Sequence, residues 1–187
     1  MADLALFAEG PHPDLAGADL LFEPFIGSWD LEVTWFEGER PARTEAGEWH
    51  FGWVLEGRAV QDVWIVPRRE QRQAGADLYE YGTSIRFPDP SVGGWRSTWL
   101  GPTQRSVRTF VARRVGDDVV LDGEQDDGTP LRWAFSDIAP DSFSWSNATG
   151  RPDGTWLVTQ RFRATRAARS AHLVEHEDRA GGADLGQ

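Results

Sequence analysis

The chain changes its hydrophobic period at Pro24-Phe25-Ile26-Gly27-Ser28-Trp29-Asp30. From Ser28 onward apolar and polar residues alternate with a period of two, in about ten short segments separated by turn signals. No convincing long helix interrupts them. Parallel strands would need crossover helices, so the series reads as an antiparallel up-and-down meander. Closure removes the exposed edges that so long an open sheet would leave. The expected fold is therefore an all-β closed barrel of about ten strands, able to hold a small ligand.

The segments can be followed one by one. Trp29, Leu31, Val33 and Trp35 alternate with Asp30, Glu32 and Thr34; Gly47, Trp49, Phe51, Trp53 and Leu55 alternate with Glu48, His50, Gly52 and Val54. Glu56-Gly57 leads into Arg58 to Val66, and Pro67 ends it. The polar stretch Arg68 to Asp77 is the candidate portal flap. Later strands cover Tyr79 to Phe87, Gly94 to Leu100, Gln104 to Arg114, Val119 to Glu124, Leu131 to Ile138, Ser142 to Ala148 and Thr155 to Thr165. Three parts result: a lead-in (1–24), the barrel domain (25–166) and a tail (167–187). In the lead-in Asp14 is expected to cap a short helix carrying Leu15, Ala18, Leu21 and Phe22, which plugs one end of the barrel. The tail is expected to form a short helix near 166–176 and to be disordered beyond it.

Composition excludes several functions. A chain of 187 residues suits one domain. Its net charge of -11 disfavours nucleic acid and anionic membranes. The chain has no Lys and no Cys, so Schiff bases, disulfides, thiolate nucleophiles and Cys-type metal sites are ruled out. His172 and His176 flank Glu175, but the pattern lacks the positioned base of a zinc helix and reads as a solvated tail; no metal and no cofactor are expected. The N-terminus shows no signal peptide and no run of 18 apolar residues exists, which makes a cytoplasmic protein the expectation. A homodimer is compatible with the sequence.

The first strand resembles the Gly-x-Trp start of the calycin superfamily, which includes lipocalins, fatty-acid-binding proteins and nitrobindin-like barrels. Three further pieces resemble a bacterial lipocalin-like family, the domain-of-unknown-function family numbered 1579. They are Trp53-Val54-Leu55-Glu56-Gly57-Arg58, the Pro88-Asp89-Pro90 turn leading to Trp95-Arg96-Ser97-Thr98-Trp99, and Asp153-Gly154-Thr155-Trp156 leading to Ala164-Thr165-Arg166. The resemblance implies a barrel over about residues 20–166 and carries no settled activity. Haem-binding nitrobindin-like barrels have two glycines where Leu31 and Val33 stand here. The lipocalin resemblance also implies an arginine near the last strand, Arg161, Arg163 or Arg166, stacked over Trp29.

Ten Trp spread from Trp29 to Trp156 supply core bulk and candidate pocket walls. By alternation, Trp35, Trp53, Trp64, Trp99 and Trp145 are the candidate walls. Polar residues sharing an apolar face complete the set: Asp62, Thr83 beside Tyr81 and Ile85, Ser97, Arg108 beside Phe110, Asn147 and Gln160. Sparse polar groups among aromatic walls suit a small-molecule site, although barrel cores also bury hydrogen-bonded polar residues. Arg108 is the leading anchor, satisfied either by Asp62 or by a ligand's carboxylate or enolate. His50 lies opposite the Trp49/Phe51/Trp53 face, so it points away from the interior; a general-base role is the alternative. No catalytic triad, phosphate loop or dinucleotide fingerprint is present. Binding of a small, largely apolar molecule with a polar end is the first reading. A cofactor-free cyclase or isomerase of a polyketide- or polyene-like substrate is the second, and a haem or nitric-oxide barrel the third.

Overall fold

A computed structural model of the chain describes residues 6–72 and 79–168. Ten antiparallel strands follow one another around a closed barrel: β1 (Gly27–Glu37), β2 (Arg40–Val54), β3 (Ala59–Val66), β4 (Glu80–Asp89), β5 (Gly94–Gly101), β6 (Ser106–Val115), β7 (Asp118–Glu124), β8 (Pro130–Ala139), β9 (Ser142–Gly150) and β10 (Trp156–Arg166). Each strand pairs with the next, and β10 returns to β1 with Trp29 opposite Arg166 and Val33 opposite Phe162. The expected meander and its closure are both present. Among the described residues no helix is long and apolar enough to cross a membrane.

Pairing carries one side-chain parity around the ring. Trp49 faces Trp64, Trp64 faces Gly82, Asp62 faces Ser84, Ser84 faces Trp99, and Arg86 faces Ser97. On the far side Leu121 faces Trp133, Trp133 faces Asn147, and Asn147 faces Gln160. A bulge between Val158 and Gln160 resets β10, so Val158 does not share the face of Gln160 as simple alternation predicts.

The lead-in does plug one end, but not as a helix. Only 3-10 turns occur, at Pro13–Leu15 and Glu23–Phe25. Pro11, Pro13 and Pro24 withhold backbone donors, and Gly17 at φ +87° turns the chain out of any helical path. The first turn is capped by the His12 ring, which accepts from the Asp14 N–H, and not by Asp14. Leu21, Phe22 and Phe25 nevertheless bury completely among Trp95, Phe135 and Phe143. Polar contacts fix the plug: the Trp95 indole donates to the Asp19 carbonyl at 2.8 Å, and Arg114 grips the Asp19 carboxylate with two bonds. Farther up the lead-in, His12 N–H donates to the Gly57 carbonyl. Gly57 (φ +85°) permits this, since a Cβ there would lie 2.2 Å from the Gly10 carbonyl oxygen.

Arg166 closes the same end. Its guanidinium lies 4.2 Å over the Trp29 ring and donates to the carbonyls of Pro140 and Ile26, while the Trp29 indole donates to the Phe25 carbonyl. Of the three arginines named above, Arg166 is the one on Trp29. The expected tail helix lies outside the described residues beyond Ala168, and so do His172, Glu175 and His176. Removing the clamp in Arg166→Ala should cost about 2 kcal/mol, from a partly exposed cation–π contact and charge-assisted bonds. Urea unfolding checks this, and Arg166→Lys should recover only part of the loss because an ammonium cannot bridge both carbonyls while stacking.

Candidate functional site

At the end opposite the plug, the strands enclose a cavity of about 160 Å³, open at its outer side. Its walls are indoles. Trp49 and Trp64 meet edge to face at 5.2 Å, Trp133 and Trp145 lie 5.5 Å apart, and Trp99 meets Trp133 at 6.1 Å. Trp99 can lie across β4 because residue 82 is glycine: a Cβ there would come within 2.4 Å of the indole ring.

β4 supplies the polar wall. Its apolar residues Tyr81, Ile85 and Phe87 face outward, and Glu80, Gly82, Ser84 and Arg86 face in. Glu80 sits at the mouth and accepts three hydrogen bonds, from Trp64 Nε1 at 2.9 Å, Trp35 Nε1 at 3.2 Å and Gln160 Nε2 at 3.4 Å. Beneath Ser84 lies a buried ion pair. Arg86 Nη1 donates to Asp62 Oδ2 with both side chains fully buried, and the Ser84 N–H donates to Asp62 Oδ1 at 3.3 Å. The guanidinium lies 4.8 Å from the Phe22 ring centre, so the pair rests on the plug.

Several polar atoms of this interior have no partner among the described residues. They are the indole nitrogens of Trp49, Trp133 and Trp145, the hydroxyls of Ser84 and Ser97, Asn147 Oδ1, and Nε and Nη2 of Arg86.

The eleven residues expected at the site separate into groups. Trp64, Trp99, Trp145 and Gln160 line the cavity. Trp35 reaches its mouth through Glu80, and Asn147 stands between Trp133 and Gln160 in the ladder. Asp62 and Ser97 lie one layer deeper, and Trp53 is buried near the closed end, where Ala8 pairs with it. Two expectations are corrected. Thr83 faces outward, bonding Gln61 and the Asp62 carbonyl, because the ladder gives β4 the opposite parity to its apolar residues. Arg108 has the inward parity but sits at the rim, where it pairs with Asp126 at 2.8 Å; the partner of Asp62 is Arg86. His50 lies outside, as alternation predicts, bonded to Ser28 and Glu48.

Glu80, Trp49, Ser84, Gln104, Ser106 and Trp133 line the cavity without having been expected there. A signal existed for the β4 pair. If Asp62 points inward it needs a cation, and Arg86 is the arginine that the following strand, β4, supplies.

Of the expected flap, Arg69–Gln71 forms a 3-10 turn, and residues 73–78 lie outside the described residues. Its start is tied to the barrel wall by Arg69, whose side chain and N–H bond the Glu48 carboxylate at 2.8 to 3.0 Å.

By overall shape the chain is similar to Rv2717c from M. tuberculosis, with a TM-score of 0.51 and 16% identity over 84% of this chain and 99% of that one. It is also similar to the S-type phycobiliprotein lyase CPES from Guillardia theta, with a TM-score of 0.49 and 11% identity over 80% of this chain and 92% of that one. At 16% identity the likeness to Rv2717c establishes the barrel fold alone. No protein-family model and no curated protein matches the chain, so the resemblance to family 1579 finds no support from that side.

Breaking the buried pair in Asp62→Asn should cost about 3–5 kcal/mol, because Arg86 would keep its charge without a counter-ion. The double variant Asp62→Leu/Arg86→Met should recover most of that loss in urea unfolding. On the outer wall, hydrogen bonds from Arg69 hold the Glu48 carboxyl down at about 2, against an ordinary 4.5. The folded value is depressed, so the contribution is complete above about 4.5 and is lost as pH falls towards 2. Between those values the wild type should lose more stability than Glu48→Gln, measured by urea midpoints at stepped pH.

Proposed function

We propose that the barrel binds a small, largely apolar molecule with a polar end, held in the indole-walled cavity. The observation that carries this reading is the cavity itself, about 160 Å³ in volume, walled by five indoles and carrying sparse polar groups such as Glu80 and Gln160 in its lining. The indoles would hold the apolar body, and the sparse polar groups would fix the polar end. The size suits a single ring: a cavity of about 150 Å³ is enough for benzene, and this one measures about 160 Å³.

The same volume weighs against an extended polyene or polyketide as substrate, so binding is preferred to the cyclase or isomerase reading. A haem does not fit. The space is too small for a macrocycle, and among the described residues His12 and His50 both lie away from the cavity. Membership of the lipocalin-like family numbered 1579 would be consistent with a binding barrel.

Native mass spectrometry of the protein as purified, followed by denaturing extraction, tests the proposal. The expected result is a ring-sized species at unit stoichiometry. If the barrel is empty and its Trp fluorescence ignores a broad panel of small aromatic and alicyclic compounds, the proposal fails. Gly82→Val, which drives a side chain into the space of the Trp99 ring, should weaken any such binding by at least roughly tenfold.

A further inference from the structure

Among the described residues Glu80 is the only charged side chain that lines the cavity. Its hydrogen bonds come from neutral donors alone, two indoles and one amide. Among the described residues it forms no ion pair; the arginines and histidines that do pair are engaged with other carboxylates. Arg43, opposite Trp35 in the ladder, stacks 3.8 Å over the Trp35 ring and is not within ion-pair distance of the carboxylate. The residues preceding β4, 73–78, include no basic side chain in their sequence. Asp62 shows the contrast: one layer deeper, the fold supplies Arg86 for that carboxylate.

We propose that the cavity selects a protonated amine carried on a ring-sized apolar body, with the ammonium group at Glu80 and the body between the indoles. This deepens the binding reading above and rests on it. The chemistry is complementary at each point. A carboxylate accepts about four hydrogen bonds and Glu80 has taken three, which leaves capacity for an N–H of the ligand. Five indoles surround the same space, and indole faces attract cations more strongly than any other side chain's. The chain's net charge of -11 raises the local concentration of cations and repels anions.

An anionic ligand would meet the opposite conditions. It would face Glu80 with no free cation among the described lining residues: Arg86 is committed to Asp62, Arg108 is held at the rim by Asp126, and Arg43 is stacked on Trp35. A neutral ligand of the same shape could fill the cavity, but it would leave the carboxylate uncompensated. Charge, not shape, is therefore the property on which selection turns.

Three ligands of nearly one shape separate these cases: benzylamine, benzyl alcohol and benzoate, titrated against the full chain at pH 7 and low salt with Trp fluorescence as readout. The amine should bind at least roughly tenfold more tightly than the alcohol, and benzoate should be the weakest. That preference should shrink as salt is raised. In Glu80→Gln the amine and the alcohol should come within about twofold of each other, with thermal unfolding used to verify that the variant folds. If the alcohol binds as tightly as the amine, or benzoate binds best, the proposal is overturned while the ligand-binding reading survives. If none of the three binds and no other ring-sized compound does, both fall. The wild-type series decides the question by itself should Glu80→Gln not fold.

Discussion

Closing a ten-stranded ladder on itself removes each strand's freedom to choose its face. Register passes from β1 through nine neighbours and back to β1, and every pairing step fixes which residues point inward. For most strands local preference agrees with that assignment, as in β1, where Trp29, Leu31 and Val33 are buried. In β4 it disagrees. Tyr81, Ile85 and Phe87 would form a good apolar face, yet the partners Asp62 to Trp99 hold them outside. A one-residue slip of β4 would correct its amphipathicity but break both neighbouring ladders, so the ring wins.

The consequence is a barrel with unequal walls. β2 and β8 to β10 line the interior with aromatic rings, including Trp145 stacked on Phe162 at 5.0 Å. β3 to β5 contribute Asp62, Glu80, Ser84, Arg86 and Ser97. The deeper part of this polar wall is neutralised internally by the Asp62–Arg86 pair and pressed against Phe22 of the plug. Nearer the mouth it is not neutralised, and there Glu80 stands among indole N–H groups. The asymmetry is chemical as well as steric, because one end of the interior is filled and the other is left open.

Architecture was legible because it depends on period and turn chemistry, which are local. Alternation around Trp29, Trp49 and Trp95 placed those strands correctly. The site was half legible. Trp64, Trp99, Trp145 and Gln160 line the cavity because their strands obey their own patterns. Thr83 went astray, and Glu80 and Ser84 were overlooked, because parity in β4 is dictated by its neighbours and no reading of residues 80–87 alone contains it. Arg108 was misread for a related reason: alternation gives a face but not a depth, and at the end of a strand an inward arginine can reach the rim. The plug was half legible too, since burial of Leu21, Phe22 and Phe25 follows from their apolarity while Gly17 and the prolines decide that no helix forms.

The two ends of the barrel divide the work of the molecule. At the closed end Trp29, Arg166, Phe25 and Asp19 tie the lead-in to β1, β6 and β10, so contacts distant in sequence converge there and the closure of the ladder is made secure. At the open end hydrogen bonds from Trp35, Trp64 and Gln160 converge on one carboxylate, that of Glu80. A change at Arg166 therefore acts on the whole barrel, whereas a change at Glu80 acts on what the barrel can hold. Because the Asp62–Arg86 pair lies between these regions and touches both the plug and the layer under Ser84, it is the point at which a stability defect would pass into the cavity. Replacing that pair by apolar residues of similar volume would keep the plug seated but remove the only buried charges beneath Glu80, leaving its carboxylate to define the electrostatics of the cavity unaided.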